Sequence, residues 1–253
     1  MPEKKKKEVK QEEVVVNLDS LGVPIAIIIA GIIIASVIFF TSKNNTANPD
    51  SDKKDDGIAQ DDDTPAAGDV VVTLGDDPFL GDKSKAKVAV VDFSDYGCGY
   101  CQRHSQETYP QIKSNYIDTG KILYVFKEFP LSGEGQIGYT TAHAGMCVFE
   151  LKGSSAFESF HKSAFFTETE AALKKIATGL GVDGTKYDKC MSEKRYTDEI
   201  AADREEGSKA GITGTPGFII GVIGEDGKVT GKLIAGAYPY ATFESTINEM
   251  LAK

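Results

Sequence analysis

Two cysteines separated by two residues, Cys98 and Cys101, are the residues of this chain best suited to chemistry. They follow a short apolar run rich in β-branched residues, 87–94, and open a polar stretch with the character of a helix start. Backbone N–H groups at a helix N-terminus stabilise a thiolate and lower its pKa from about 8.5 towards roughly 3.5 to 7.5. The spacing therefore predicts a redox-active dithiol, with Cys98 as nucleophile and Cys101 as the thiol that resolves a mixed disulfide.

Two other interpretations of these cysteines are a zinc site and a structural crosslink. Zinc sites with four thiolates use two closely spaced pairs, whereas the other two cysteines, Cys147 and Cys190, stand alone. A crosslink across so short a loop would constrain the unfolded chain little and would add little stability. We therefore expect redox chemistry, with no metal and no cofactor.

An uncharged segment of twenty residues, 21–40, lies near the N-terminus and reads LGVPIAIIIAGIIIASVIFF. This length crosses a hydrocarbon core of roughly 30 Å as a helix, and lysine bias orients such a helix. Because five lysines precede it, we expect a cytoplasmic tail at 1–20, a transmembrane signal-anchor helix at 21–41 and the rest of the chain outside the cell. The alternative is a cleaved signal peptide, which the long apolar stretch and the lack of an A-x-A site disfavour.

The segment that follows, 42–69, is rich in Asp, Asn, Lys, Pro and Gly and includes three consecutive aspartates at 61–63. This composition predicts an acidic, disordered linker. Its acids lack the spacing of a calcium loop, so we expect them to be solvated. The whole chain has a formal net charge of −10, and we expect no nucleic-acid partner.

Apolar periodicity beyond the linker indicates an α/β domain. Strands are predicted at 69–73, 87–93, 122–127, 217–222 and 229–234. Helical spacing is predicted at 142–151, 156–165, 171–180, 200–210 and 240–251. The order is a βαβ unit, a block of helices, and a final ββα unit, so a helical block of about 131–210 interrupts the strands.

These features together resemble the DsbA-like branch of the thioredoxin-fold superfamily, in particular its membrane-anchored, extracytoplasmic disulfide-forming members. The resemblance rests on the CxxC after a central strand, the helical insertion, and three short motifs. The motifs are FLGD at 79–82, DFSDY at 92–96 and GTPGF at 214–218. It implies a thioredoxin fold over 70–253, with a central mixed β-sheet flanked by helices and an inserted helical subdomain.

The resemblance also implies roles for three residues outside the CxxC. Pro216 matches the proline that is cis in this fold and faces the dithiol, and Thr215 would offer its backbone N–H and C=O to a substrate strand. Asp92, six residues before Cys98, matches a buried acid beneath the dithiol that would exchange a proton with Cys101. The alternatives are an ordinary trans proline and an Asp92 that faces solvent.

Four further residues carry weaker expectations. Cys147 and Cys190 both fall in the helical block, and in an oxidising compartment such a pair would form a structural disulfide that adds roughly 3 to 4 kcal/mol of stability. Two buried free thiols are the alternative. Asp95 lies nearer the loop and is expected to be exposed, and His104 is expected on a helix surface.

Two directions of redox chemistry remain open, together with a non-enzymatic alternative. The favoured one is an oxidase that forms disulfides in unfolded or reduced exported proteins, with a membrane redox partner reoxidising the dithiol. The second is a membrane-anchored reductase or isomerase supplied with electrons from the membrane. The third is an anchored peptide-binding chaperone module whose groove matters more than its thiols.

Overall fold

The computed structural model describes residues 68–253. The predicted tail 1–20, the predicted transmembrane helix 21–41 and nearly all of the predicted linker 42–69 lie outside the described residues. Between residues 68 and 253, no helix combines the length and the hydropathy needed to span a bilayer.

Six strands form a single mixed sheet. They are β1 (Val70–Thr73), β2 (Phe79–Leu80), β3 (Val88–Ser94), β4 (Ile122–Glu128), β5 (Gly217–Ile223) and β6 (Lys228–Ala235). Their order across the sheet is β1-β6-β5-β3-β4-β2, with β3 and β4 parallel and every other pair antiparallel. The predicted mixed α/β sheet is confirmed, while the two-residue strand β2 is too short to give a periodic signal.

Seven helical elements surround this sheet within the described residues. They are α1 (99–117), α2 (Ile137–Lys152), α3 (Ser154–Ala164), α4 (Glu170–Gly179), α5 (Gly184–Ser192), α6 (Thr197–Lys209) and α7 (Tyr240–Leu251). Helices α2 to α6 lie between β4 and β5 in the chain. Helix α5 is not among the predicted helices, because only Tyr187 and Cys190 are buried along its nine residues and two positions give almost no periodicity.

Helix α1 carries the CxxC and is irregular. Its first turn, Gly99–Arg103, is α-helical and is followed by a wider π-helical turn, His104–Thr108. Pro110 follows within the next α-helical turn, and a proline has no N–H to donate back to the preceding turn. The missing donor explains why the hydrogen-bond ladder widens there.

Apolar side chains fill both faces of the sheet and the interior of the helical block. Ile112 of α1 and Phe243 of α7 pack with Phe218 on one face, while Phe93 and Ile212 belong to the cluster on the other. Strands β3 and β4 are buried along their whole length, as expected when helices cover both faces. A third cluster unites the helices and includes Cys101, so the dithiol sits between the sheet and the helical block.

Candidate active site

Cys98 occupies the N-cap position of α1. Its backbone is extended, with φ −96° and ψ 120°, and its carbonyl accepts the first hydrogen bond of the helix from Gln102 N–H at 3.1 Å. The turn before it is closed by a 3.1 Å bond from the Cys98 N–H to the Asp95 carbonyl. The chain therefore leaves β3 and delivers the Cys98 sulfur to the positive end of a helix.

The Cys98 thiol is acidic for physical reasons visible in its surroundings. A hydrogen bond from the Cys101 thiol, with further ones from the Tyr100 and Cys101 backbone N–H groups, lowers the pKa of Cys98 to about 5. Partial burial acts in the opposite direction but is outweighed. The side chain is half-buried, so the thiolate is stabilised and still accessible, as a nucleophile needs to be.

Cys101 is a different kind of thiol. It is 2% exposed, and burial raises the pKa of its thiol well above the usual range, with the hydrogen bond it donates to Cys98 acting in the same direction. A buried sulfur with a high pKa stays protonated while its neighbour ionises. The structure therefore brings together two thiols of opposite character.

Thr215 and Pro216 lie directly against the dithiol. The peptide bond between them is cis, and the Cys98 thiol donates a hydrogen bond to the Thr215 carbonyl at 3.2 Å. The hydroxyl of Thr215 is buried and has no hydrogen-bond partner within the described part of the chain. The main chain at Thr215 thus faces the reactive sulfur, the position that the sequence resemblance implied.

Asp92 lies on β3 and is 3% exposed. Burial raises the pKa of its carboxyl to about 7, although the Tyr124 hydroxyl donates a hydrogen bond to Oδ2 at 2.8 Å. The second oxygen, Oδ1, has no hydrogen-bond partner among residues 68–253. A carboxyl that titrates near neutral pH and has a free oxygen can give or take a proton there. When Asp92 is ionised, its charge raises the pKa of the Cys101 thiol further.

The expectation that His104 decorates a helix surface is wrong. Its ring is 3% exposed and packs against Phe218 and Phe243, with centroids 4.4 and 5.0 Å away. Nε2 lies 3.0 Å from the Tyr124 hydroxyl oxygen, which accepts because its proton is given to Asp92. Burial lowers the pKa of His104 to about 3, so His104 is neutral and orients the tyrosine that holds Asp92.

The expectation that Asp95 is exposed is also wrong, since the residue is 5% exposed. Its carboxylate accepts hydrogen bonds from Gly97 N–H at 2.9 Å and from Leu131 N–H at 3.1 Å. Gly97 belongs to the CxxC turn, and Leu131 belongs to the loop after β4. Asp95 therefore links two segments of the chain. One is the turn that presents Cys98, and the other is the loop that leads into the helical block.

Sequence reasoning missed a further buried acid, on β4. Glu128, the last residue of β4, is 3% exposed, and burial with the charges of Asp203 and neighbouring acids raises the pKa of its carboxyl well above the usual range. The hydroxyl of Tyr96, two residues before Cys98, lies 3.4 Å from Glu128 Oε1 and 3.2 Å from His161 Nδ1. A charged residue directly after an apolar strand was the signal that could have indicated it.

Lys127, next to Glu128, is a buried cation that sequence reasoning also missed. Its ammonium lies within 2.7 Å of Asp203 on α6 and 3.2 Å of Glu206, and it bonds to Asp77 before β2. Burial lowers its pKa, but the charges of Asp203 and Asp77 outweigh burial and leave the pKa raised. Lys127 therefore joins the sheet to α6 and to the segment between β1 and β2.

Cys147 of α2 and Cys190 of α5 form a disulfide, with 5.9 Å between their Cα atoms and 43 residues between them in sequence. Both residues are fully buried. With His143 they are the group in the described residues whose ligand atoms lie close enough to share an ion, within 4.8 Å of one another. Cysteine binds zinc as a thiolate, which the disulfide does not offer, so this group does not fit a metal site.

Comparisons with known proteins agree with this geometry. The family model described as thioredoxin matches residues 73–248. A Rickettsia typhi protein provisionally named a protein-disulfide oxidoreductase is 28% identical over 153 residues, which is 57% of this chain and 54% of that protein. Disulfide bond formation protein D of Bacillus subtilis is 24% identical over 69% of this chain and 77% of its own.

A solved structure has a similar fold. The crystal structure of alpha-DsbA1 from Wolbachia pipientis superposes with a TM-score of 0.61 at 25% identity, over 70% of this chain and 92% of that one. The chain spans about half the length of the Rickettsia proteins that it matches. The resemblance to DsbA-like proteins is confirmed, and because the thioredoxin model covers 73–248 of its 253 residues, the chain belongs to the thioredoxin family.

Proposed function

We propose that this chain is a thiol:disulfide oxidoreductase that forms disulfide bonds in exported proteins through Cys98 and Cys101. The observation that carries the proposal is the contrast between the two thiols: Cys98 is half-buried with a pKa lowered to about 5, and Cys101 is buried with a raised pKa. The names of the relatives from Rickettsia typhi and Bacillus subtilis support the same chemistry.

The reaction follows from the accessibility of the two sulfurs. In the oxidised enzyme a substrate thiolate attacks the accessible sulfur of Cys98, so a mixed disulfide forms and the Cys98–Cys101 bond breaks. A second substrate thiolate then attacks the substrate sulfur of that mixed disulfide. The substrate leaves oxidised, and Cys98 leaves as a thiolate that its hydrogen bonds from Cys101 and the helix N-terminus stabilise.

Asp92 supplies the proton that the buried sulfur needs. When the disulfide breaks, Cys101 carries a charge in a buried site, and its raised pKa makes protonation favourable. Asp92 has a pKa of about 7 and an oxygen without a hydrogen-bond partner among the described residues. The carboxyl therefore gives its proton to Cys101 on reduction and recovers one when the dithiol is reoxidised.

Unfolded polypeptide fits the surface around Cys98. Tyr100, Leu131 and Phe166 are large apolar side chains that are all more than half exposed, and the Phe166 ring lies against Gly99 inside the CxxC. Phe166 has a φ of +56°, a conformation that bulky residues rarely adopt and that is concentrated at functional sites. Beside this surface, the Thr215 main chain is placed to pair with an extended substrate segment.

The proposed location is outside the cytoplasm, with residues 21–41 as membrane anchor and a membrane redox partner that reoxidises the dithiol. The uncharged segment and the lysines before it support this topology. The buried Cys147–Cys190 disulfide supports an oxidising compartment. Digestion of intact cells with an added protease tests the topology, since the chain beyond residue 41 should be cleaved without lysis.

The direction of electron flow follows from the acidity of Cys98. A stabilised thiolate favours the reduced enzyme, which makes the oxidised enzyme a stronger oxidant. The deciding experiment is the equilibrium reduction potential of the full-length protein in detergent, with Cys147 and Cys190 both replaced by alanine so that one couple titrates. A potential of roughly −120 to −180 mV is expected of an oxidase, and one near −270 mV would assign the chain to the reductases.

The variant Cys98→Ser distinguishes a peptide-binding chaperone from an oxidase or a reductase. This variant keeps the apolar surface and loses the nucleophile. Suppression of aggregation that persists unchanged in Cys98→Ser, together with no disulfide formation by the wild-type protein, would replace the proposed enzyme with a peptide-binding module.

A further inference from the structure

Two buried residues that the proposed reaction does not use are joined to Asp92 by hydrogen bonds. The hydroxyl of Tyr124 on β4 donates to Asp92 Oδ2 at 2.8 Å, and Nε2 of His104 on α1 lies 3.0 Å from the same hydroxyl oxygen. We call these three residues the His–Tyr–Asp chain. All of them are buried, so the fold itself must supply the partners of their polar atoms.

The hydrogen on the His104 ring lies on Nε2. Burial lowers the pKa of His104 to about 3, so the ring is neutral and carries a single N–H. Among residues 68–253, Nδ1 has no hydrogen-bond partner, whereas Nε2 has the Tyr124 oxygen. A buried N–H without an acceptor is costly, and the tautomer of a neutral histidine follows the partners of its two nitrogens. His104 therefore donates to Tyr124.

This donation fixes the direction of the next hydrogen bond. The Tyr124 hydroxyl has one hydrogen, and Asp92 Oδ2 accepts it. If the hydroxyl oxygen accepted from both His104 and Asp92, its own hydrogen would have no acceptor within the described part of the chain. Tyr124 therefore donates to Oδ2 whether the Asp92 carboxyl is ionised or protonated.

The proton of the Asp92 carboxyl is consequently placed on the other oxygen. Oδ1 has no hydrogen-bond partner among the described residues, so a proton on Oδ1 is not held by a neighbour. When Asp92 is ionised, its charge raises the pKa of four side chains on β4, on α1 and in the turn before α1: Tyr96, Cys101, Tyr109 and Tyr124. Of these four groups, Cys101 is the one that gains and loses a proton in thiol–disulfide exchange.

The other elements packed on the His–Tyr–Asp chain contribute neutral side chains. Phe218 of β5 and Phe243 of α7 pack against the His104 ring. From the helical block, His161 of α3 interacts with His104, and burial lowers the pKa of His161 to about 3, so this ring is uncharged near neutral pH. The pKa of Asp92 is therefore set by burial, which raises it, and by the Tyr124 hydrogen bond, which lowers it.

On the basis of the proposed redox function, we propose that His104 is a positioning residue for the proton that Asp92 gives to Cys101. His104 holds the Tyr124 hydrogen on Oδ2 and so keeps the carboxyl proton on Oδ1. When a substrate thiolate attacks Cys98, a bond to the substrate sulfur forms, the Cys98–Cys101 bond breaks, and its electron pair stays on the Cys101 sulfur. The Oδ1 proton passes to that sulfur, and the Tyr124 hydrogen bond stabilises the carboxylate left behind.

A second set of the same residue types provides a matched control. His161 Nδ1 lies 3.2 Å from the Tyr96 hydroxyl oxygen, which lies 3.4 Å from Glu128 Oε1. These three residues are buried as well. The pKa of Glu128 is raised well above the usual range, so its carboxyl stays protonated near neutral pH. His161→Leu therefore also removes a buried histidine but leaves the hydrogen bonds of Asp92 in place.

Infrared titration of the oxidised full-length protein in detergent follows the Asp92 carboxyl directly, through the carbonyl band that Asp92→Asn removes. We expect a midpoint near pH 7 in the wild-type protein. His104→Leu and Tyr124→Phe should each raise the midpoint by about one unit, because the carboxylate loses a fixed hydrogen-bond donor. The amide of His104→Gln can still donate to Tyr124 and should restore the wild-type midpoint, while His161→Leu should leave it unchanged.

The rate of mixed-disulfide formation with a reduced peptide gives the second measurement. Its inflection near pH 7 should move upward in His104→Leu and Tyr124→Phe together with the infrared midpoint. The role of His104 is overturned if the midpoint in His104→Leu equals that of the wild type, if His104→Gln shifts it as far as His104→Leu, or if His161→Leu shifts it equally. A wild-type protein that oxidises no peptide would contradict the proposed function, while the infrared midpoints would still decide whether His104 positions the proton.

Discussion

The two cysteine pairs of this chain have the same atoms and opposite environments. Cys98 and Cys101 are three positions apart at the N-terminus of α1, and one of the sulfurs is accessible. Cys147 and Cys190 are 43 positions apart, lie on two facing helices and are both fully buried. Reactivity therefore follows from placement at a helix end and from exposure, while burial between helices turns the same bond into a crosslink.

Cys98→Ser should have the largest effect of these changes. If Cys98 is the nucleophile, oxidation of a reduced peptide substrate should fall by at least about a thousandfold. The matched control replaces Cys147 and Cys190 with alanine, which should keep most of the activity. Equal losses in the two variants would mean that both pairs take part in the reaction.

Titration of the reduced protein sharpens the same contrast. The thiolate absorbance should rise in one step near pH 5, because hydrogen bonds from Cys101 and the helix N-terminus lower the pKa of Cys98, while the raised pKa keeps Cys101 protonated. A group whose pKa is lower in the folded than in the unfolded state stabilises the fold at high pH. The reduced protein should therefore lose stability relative to Cys98→Ser as the pH falls from about 9 through 5.

The absence of a step in Cys98→Ser serves as the control for that titration. A first step near pH 8 or 9 in the wild-type protein would show that the helix N-terminus does not activate Cys98.

Removal of the Cys147–Cys190 disulfide tests how much it stabilises the fold. Replacing Cys147 and Cys190 with alanine opens a loop of 43 residues and should lower the free energy of unfolding by about 4 kcal/mol on the chain-entropy estimate. Urea denaturation of the full-length protein with the CxxC kept reduced measures the change. A loss well under 1 kcal/mol would indicate that the crosslink contributes little to the helical block.

Of the predicted effects, the one expected for Asp92→Asn is the smallest. This substitution should slow formation of the mixed disulfide, the step in which Cys101 takes up a proton, roughly tenfold to a hundredfold and remove the inflection near pH 7 from the rate, since burial raises the pKa of Asp92 to about 7. A raised carboxyl pKa means that wild type loses stability as the pH rises from about 4 to 7. The variant should therefore be the more stable protein above pH 7.

Glu128→Gln is the control for Asp92→Asn. Burial raises the pKa of Glu128 well above the usual range, so glutamine replaces a carboxyl that is already uncharged and should leave the pH profile unchanged. An unchanged profile in Asp92→Asn would assign the proton transfer to another group.

The sequence was informative where the signal is local. The CxxC, the strand before it and the proline at 216 are contiguous patterns, and the structure places them together around Cys98. The order of strands along the chain was also predictable, because buried strands such as β3 and β4 each begin with an apolar run of four or five residues.

What could not be predicted depends on residues far apart in sequence. Asp95 is buried by a loop that bonds to it from 36 positions away, and His104 is buried because its face of α1 packs on Phe218 and Phe243. Neither contact can be predicted from the sequence around Asp95 or His104. The polar character of both side chains suggested solvent, and only the packing of α1 and of the loop after β4 decides otherwise.

Lys127 has a consequence for how this molecule changes during evolution. Its ammonium is 4% exposed and is neutralised by carboxylates from the segment before β2 and from α6, and removing one member of a buried charge group is strongly destabilising. We therefore expect substitutions at Lys127, Asp77 and Asp203 to occur together, since altering one alone leaves a buried charge unpaired. A helical insertion moved onto another sheet would need a new partner for Asp203.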